Sequence, residues 1–337
     1  MSTKPNISKT SSGIGSKLNG KPKVLLTNLI HPQLLPLLEA HCEVIVAPDT
    51  SPATIARLIT SAEGLIVRAQ LAPNVFDNAL HLRAVVRHGV GLDMIPVKAA
   101  TARGIPVANL PGSNTTAVVE YCVAAMLHFR RGLALMDNRL RTENWAAARP
   151  LADQGTELRQ SVCGIVGLGA VGAQLADIAA GLGMRVIGLT RRPDAMPAHV
   201  EAVSKQALFK QADVVVLCCP LNEQTRGLVD TVTVALMRPT AILINVSRGP
   251  VIDIAAVLAA LKCGALGGAA LDVHDQQPLT GHEPLFNCPN LLITPHVAGI
   301  TATSLHGMSH GAVRTLIALL GGDKPANVVN PEVFQTA

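Results

Sequence analysis

Short aliphatic and β-branched runs alternate with helical segments along nearly all of this 337-residue chain, and that alternation limits the possible folds more than any other feature. From Lys23 the order is KVLLTN, HPQLLPLLEA, CEVIVAP, ATIARLIT, GLIVR, PNVFDNAL, LRAVVRHG, IPVKAATARG and IPVANL. Strand and helix taking turns require a parallel sheet with helices on both faces, because parallel neighbours need a crossover and the crossover is usually helical. After a Pro-Gly-Ser-Asn turn, TTAVVEYCVAAMLHFRRGLALMDNRL reads as one long helix, and from SVCGIVG the alternation begins again and runs to NLLITPH. The pattern predicts an α/β chain of two doubly wound parallel-sheet domains, in keeping with its length.

Composition supports two packed cores and excludes several functions. A hydrophobic share of 49% with 15% charged residues lies far from the regime of disordered chains. Aromatics make up 2%, so Val, Ile, Leu and Ala must fill the interior. The net charge of +5 is modest and its basic residues are dispersed, which argues against a nucleic-acid surface and leaves room for an anionic small molecule. No apolar run reaches the roughly 18 residues of a membrane span. The opening MSTKPNISKTSSGIGSKLNG lacks the apolar core of a secretion signal and is expected to be a flexible tail through residue 22. Seven cysteines without a CxxC pair point to neither a disulfide framework nor a zinc site, and the chain is expected in a reducing, cytoplasmic setting with no metal.

GIVGLGAVG places Gly167, Gly169 and Gly172 in G-x-G-x-x-G spacing directly after a strand, with Ala170 and Val171 opening a helix. In such turns the first glycine permits a sharp bend, the second lets a pyrophosphate approach the backbone, and the third lets helix and strand pack closely. An acid about 20 residues on normally holds the ribose hydroxyls of NAD. Here that position is Thr190, followed by Arg191 and Arg192. An acid would repel a 2′-phosphate, whereas a hydroxyl and two guanidiniums bind and neutralise it. The predicted cofactor is NADP, with NAD the alternative.

Three downstream segments complete a catalytic set. INVSRGPVID places Arg248 after a strand, LDVHDQQPL follows the next strand, and ITPHVAG places His296 after another. In parallel α/β sheets ligands bind beyond the carboxyl ends of the strands. Reducing a 2-keto acid takes a cation to hold its carboxylate and polarise its carbonyl, and a proton donor for the forming alkoxide. Arg248 and His296 are residues of those types.

The motifs HGVGLDMIPVKAATARGIPVANLPGSNTTAVVEY, GIVGLGAVG, CCPLNEQTRGLVD, INVSRGPVID, ALDV and ITPHVAG closely resemble the D-isomer-specific 2-hydroxyacid dehydrogenase family from about Lys23 onward. The resemblance implies a flavodoxin-like substrate domain from residues 23–114 and 302–337, a Rossmann domain from 115–301 inserted into it, and catalysis in the cleft. It assigns Arg248 to substrate binding, His296 to acid/base work, and the backbone at Val67, Val90 and Gly91 to the substrate carboxylate. It also places Asp272 near the nicotinamide amide, Cys219, Pro220 and Thr225 in a loop beside the adenosine half, and Val246 along the cofactor. The family is usually dimeric through the apolar 115–140 stretch, so a homodimer is expected.

Within the family, Thr190-Arg191-Arg192 is similar to the NADP-using glyoxylate and hydroxypyruvate reductases. Gln277 stands where most members carry the glutamate that pairs with the catalytic histidine. A glutamine can fix the imidazole tautomer but lends it no charge, unless Asp275 or Glu283 supplies one. The expected activity is therefore NAD(P)H-dependent reduction of a small 2-keto acid to the D-2-hydroxy acid. A phosphoglycerate dehydrogenase-like enzyme is the enzymatic alternative, weakened by Ile66 where an extra arginine for a phosphate is expected. A nucleotide-sensing corepressor-type protein is the other, weakened by the presence of both Arg248 and His296. His88 before GVG is a candidate substrate neighbour, His274 a packing residue, and His306 and His310 surface residues.

Overall fold

A computed structural model describes residues 20–335; most of the expected N-terminal tail, residues 1–19, lies outside the described residues. Among the described residues the chain parts into two compact units, one formed by 20–109 with 312–335 and the other by 110–311.

The first unit holds five strands, β1 (Lys23–Leu26), β2 (Glu43–Val46), β3 (Gly64–Val67), β4 (Ala84–Arg87) and β5 (Val107–Ala108), with helices α1 (Leu35–His41), α2 (Pro52–Leu58) and α3 (Val97–Ala102) between them. The sheet order is β2-β1-β3-β4-β5, and every pairing is parallel. The chain reverses direction across the sheet between β1 and β3, which is where a doubly wound sheet opens a crevice at its carboxyl edge. Leu25, Leu65, Val67, Val85 and Val107 pack with Ile55, Ile59, Phe76 and Ala100 in one core.

The second unit opens with α4 (Thr115–Arg131), α5 (Leu133–Thr142) and α6 (Trp145–Ala148). The single long helix expected over this stretch is thus two. Gly132 adopts φ +57 and closes α4 with its N–H on the His128 carbonyl, a left-handed C-terminal cap that glycine takes without strain. Seven strands follow: β6 (Val162–Val166), β7 (Arg185–Leu189), β8 (Glu201–Ala202), β9 (Val214–Leu217), β10 (Ile242–Asn245), β11 (Gly268–Leu271) and β12 (Leu291–Ile293). Interleaved with them are α7 (Ala170–Gly181), α8 (Lys205–Gln211), α9 (Thr231–Val234) and α10 (Ile254–Lys262). The short β8 precedes α8, which begins only after Ser204, whose hydroxyl caps the Ala207 amide. A last helix, α11 (Ala302–Leu320), gives its final turns to the first unit.

The sheet order is β12-β11-β10-β9-β6-β7-β8, again wholly parallel. Side chains alternate between its faces. Val215, Leu217, Leu243 and Leu271 meet Leu208, Phe209, Val257 and Leu261 on one side. Val214, Val216, Ile242, Ile244 and Ala270 meet Val119, Met126, Leu175 and Ala179 on the other. Burial on both faces explains why these strands read as unbroken apolar runs. The order reverses between β6 and β9, so the carboxyl ends of β6, β9, β10, β11 and β12 line the edge where a ligand is to be sought.

Candidate active site

At the end of β6 the chain turns at Gly167, φ +94. A Cβ there would lie 2.8 Å from the Cys219 backbone, and one on Gly172 would lie 2.0 Å from the Gly167 carbonyl oxygen. Both positions are therefore closed to side chains, whereas Gly169 faces open space. Gly169 precedes α7 with no side-chain cap, and the first helical bond runs from the Ala173 amide to the Gly169 carbonyl. The amides of Ala170, Val171 and Gly172 thus head a 12-residue helix with its positive end beside the open glycine, an arrangement that receives a phosphate. Cys218, one of two adjacent thiols, donates its Sγ–H to the Gly167 carbonyl at 3.1 Å; burial pushes its pKa up. It braces the turn and is not a nucleophile.

β7 ends beside this turn, the Gly167 amide bonding the Leu189 carbonyl. Thr190 is half-buried, with its hydroxyl accepting from the Arg192 amide at 3.2 Å, and Arg191 and Arg192 are exposed. After β9, the Thr225 hydroxyl donates to the Pro220 carbonyl at 2.7 Å, and the Cys219 carbonyl accepts from the Ser247 hydroxyl. Val246, half-buried, holds its amide on the Leu217 carbonyl at 3.2 Å. These contacts fix the backbone around the predicted dinucleotide groove.

Arg248 follows β10 in a turn organised by Asn245, a fully buried amide. The Asn245 side chain donates to the Arg248 carbonyl at 3.0 Å and accepts from the Ser247 amide at 3.0 Å. Arg248 is half-buried and donates from Nη1 to the Ser247 carbonyl at 2.6 Å. At Gly249 a Cβ would lie 2.3 Å from the carbonyl carbon of His274, so the arginine turn is seated directly on the loop after β11.

That loop carries Gln277, whose Oε1 lies 2.9 Å from His296 Nδ1. The Gln277 amide nitrogen donates to the His274 carbonyl, so its oxygen faces the ring, and an amide oxygen only accepts. His296 therefore carries its proton on Nδ1, which leaves Nε2 as the ring nitrogen through which a proton could be exchanged. Glu283, weighed above as a substitute charge, is engaged elsewhere. Its carboxylate accepts from Thr280 and Gly281, bonds that hold its pKa down at about 2.

His296 follows β12 in the left-handed region, φ +57. Asp272, 1% exposed, clamps the backbone just past it: one oxygen accepts from the Val297 amide and the other from the Ala298 amide, each at 2.8 Å. β10, β11 and β12 are consecutive in the sheet, so Arg248 and His296 follow strand ends two spacings apart, about 10 Å. Asn245, Thr294 and Tyr121 support this edge and escaped the sequence reading, whereas His274, expected as a packing residue, joins them through its Nε2 on the Thr294 carbonyl. Asn245 alone left a signal, as a polar residue ending an apolar strand. A cavity of about 550 Å³ lies on the other side of the 273–276 loop against α10, apart from the phosphate turn.

In the first unit, Val67 is fully buried at the end of β3. Its carbonyl accepts from the His88 amide at 2.9 Å and from Arg87 at 3.0 Å. Arg87 also donates to the carbonyls of His88 and Gly91, and the Val90 carbonyl accepts from Asn109 at 2.7 Å. One guanidinium thus ties together the two loops predicted to meet the substrate carboxylate. His88 is buried, and burial followed by the charge of Arg68 and then of Arg87 lowers its pKa to about 4. His306 and His310 are exposed on α11. Among the described residues no group of three or more His, Cys, Asp or Glu is placed to hold a metal ion.

Residues 123–298 match the model of the D-isomer specific 2-hydroxyacid dehydrogenase NAD binding domain. The chain belongs to the D-isomer-specific 2-hydroxyacid dehydrogenase family. As a member it is an oxidoreductase that interconverts 2-keto and 2-hydroxy acids with a nicotinamide cofactor. The glyoxylate reductase of Thermococcus gammatolerans is 34% identical over 94% of this chain and 98% of its own, and that of Thermococcus onnurineus 34% identical over 93% and 97%. Among solved structures, an NADPH-dependent glyoxylate/hydroxypyruvate reductase from Sinorhizobium meliloti, in complex with NADP and malonate, matches with a TM-score of 0.82. It shows 26% identity over 93% of this dehydrogenase and 98% of its own chain. The TT0316 protein from Thermus thermophilus matches with a TM-score of 0.84 and 34% identity, over 91% and 99% of the two chains.

Proposed function

We propose that this dehydrogenase is an NADPH-dependent reductase of glyoxylate or hydroxypyruvate. The observation that carries the reading is the sheet edge that bears Arg248, Gln277 and His296 in the loops after three neighbouring strands, with Gln277 on His296, beside a glycine turn whose next strand is followed by Thr190-Arg191-Arg192. The donor set suits NADP: an open glycine, a helix N-terminus, a hydroxyl and two guanidiniums, with no carboxylate at position 190 to oppose a 2′-phosphate. When bound, the reduced nicotinamide supplies the hydride that the carbonyl carbon receives. Arg248 holds the carboxylate and draws electron density toward the carbonyl oxygen. His296 delivers a proton from Nε2 to that oxygen as the alkoxide forms, while its Nδ1–H stays on Gln277. Hydride and proton together convert C=O to CH–OH, and the imidazole regains its proton from solvent.

In this reading residues 23–114 and 302–337 form the substrate domain, with the backbone at Val67, Val90 and Gly91 taking the carboxylate, and 115–301 the nucleotide domain. Cys219, Pro220, Thr225, Val246 and Asp272 belong to the cofactor side. The reading extends to a homodimer in a cytoplasmic setting. α5 has no buried residue, and Leu133 and Leu140, 62% and 45% exposed, lie seven residues apart on one helix face, as an interface stripe does. Trp145 follows, 71% exposed. A second copy seated there would bury all three.

The test crosses NADPH and NADH with glyoxylate, hydroxypyruvate, pyruvate and bulkier keto acids, in the parent and in a double variant Arg191→Ala, Arg192→Ala. The parent should turn over the small keto acids best with NADPH. The variant should lose about tenfold or more in affinity for NADPH, equivalent to about 1.4 kcal/mol, with little change for NADH. Equal losses for both cofactors would remove the 2′-phosphate assignment.

A further inference from the structure

The chain contains one tyrosine, Tyr121, and it stands on α4, well outside the loops that carry the reacting groups. Its hydroxyl lies 2.8 Å from Thr294 Oγ1, and Thr294 Oγ1 lies 2.7 Å from Asp272 Oδ1. The directions of these bonds follow from counting protons. A threonine hydroxyl has one hydrogen to give, and the carboxylate, which only accepts, takes it. The Tyr121 hydroxyl must therefore donate to Thr294. The resulting relay, Tyr121 to Thr294 to Asp272, ends on the carboxylate that also accepts from the Val297 and Ala298 amides. The Thr294 carbonyl closes the near side, accepting from the His296 amide at 3.1 Å and from His274 Nε2 at 3.0 Å.

His296 sits between these clamps with a left-handed backbone that a non-glycine residue adopts only at a cost of order 1 kcal/mol. Its conformation persists because the residues on both sides are fixed. We infer that Tyr121 is a positioning residue for the proton-donating histidine, acting through the hydroxyl of Thr294 and the carboxylate of Asp272. The inference rests on the reading of His296 as the acid/base given above. Half-buried, Tyr121 is well suited to a permanent donor: burial pushes its pKa up to about 12, so the proton the relay depends on stays in place across the working range of the enzyme.

Tyr121→Phe keeps the ring and removes one donor. A hydrogen bond of ordinary net strength translates into an expected fall in kcat of about 3- to 10-fold, with KM for the keto acid and the cofactor held within about twofold. Hydrogen exchange supplies a reading that does not depend on the reaction. The Val297 and Ala298 amides should exchange faster in the variant by a similar factor, while those of β6 and β7 keep the parent's rates. Thr294→Val should lower kcat further, Tyr121→Phe should add nothing in that background, and Thr294→Ser should restore the parent behaviour. Unaltered exchange at Val297 and Ala298, acceleration spread evenly over the unit, or additive losses in the double variant would each overturn the relay. Undiminished turnover in His296→Asn would instead sink the proposed function.

Discussion

His88 lies at the carboxyl end of β4, 3% exposed, among groups that resist its protonation. Burial and the guanidiniums of Arg68 and Arg87 lower its pKa from 6.5 to about 4. In the unfolded chain the ring reverts to its ordinary value, so below that value the unfolded state binds the proton first. The sign follows: the contribution of neutral His88 to stability is complete above about pH 6.5 and is lost as the pH falls toward about 4. The displacement amounts to about 3 kcal/mol when fully expressed, and about 2 kcal/mol of it should already be gone near pH 5. His88→Gln removes the titration while keeping a polar side chain. Urea unfolding, followed through the amide signals of β3 and β4 between about pH 7.5 and 5, should show the parent losing about 2 kcal/mol more than the variant. The imidazole C–H resonance of His88 should stay in its neutral position throughout. Parallel acid profiles in the two proteins, or a resonance that titrates near the ordinary histidine value, would refute the reasoning.

Gln277→Glu places a charge on the atom that holds His296 Nδ1; it should extend reduction activity toward alkaline pH by about one unit, and superimposable pH–rate profiles would contradict that. Gly249→Ala drives a methyl into the His274 backbone, a clash between main chains that cannot rotate away. It should destabilise the second unit by about 1–3 kcal/mol and lower kcat, as seen by calorimetry and steady-state kinetics; a stable, fully active variant would show that the arginine turn and the histidine loop are not seated together. The exposed stripe of α5 should be covered in solution, so light scattering should give twice the chain mass, and Leu133→Lys with Leu140→Lys should halve it; a monomeric parent would end the dimer reading.

The fold was legible because its information is local and periodic. Apolar runs such as VVVL and ILIN, buried on both faces of the sheet, announce parallel strands wherever helices separate them, and the glycine spacing at 167–172 records contacts of the backbone with itself. The break at Gly132 was hidden because glycine tolerates a helix interior as well as a left-handed cap, and only the path of the chain decides. At the site, Arg248, Gln277 and His296 could be named from motif and position. Their supports could not. Tyr121 and Thr294 are 173 residues apart, and nothing in the neighbourhood of either residue announces the other. Asp272 shows the same limit from another side: its acid type was evident, while its engagement by Thr294, Val297 and Ala298 depends on how β11 and β12 end side by side.

The central claim is that Arg248 and His296 act on one 2-keto acid beside a nicotinamide held at the glycine turn. Single-turnover reduction of glyoxylate, with enzyme in excess and the near-ultraviolet absorbance of the reduced cofactor as the signal, tests it most directly when the parent is compared with Arg248→Gln and His296→Asn. Both variants should bind NADPH as the parent does and lose about 100-fold or more in the hydride-transfer rate, with the arginine variant alone also weakened for the keto acid. Hydride transfer at the parent's rate in either variant would contradict it.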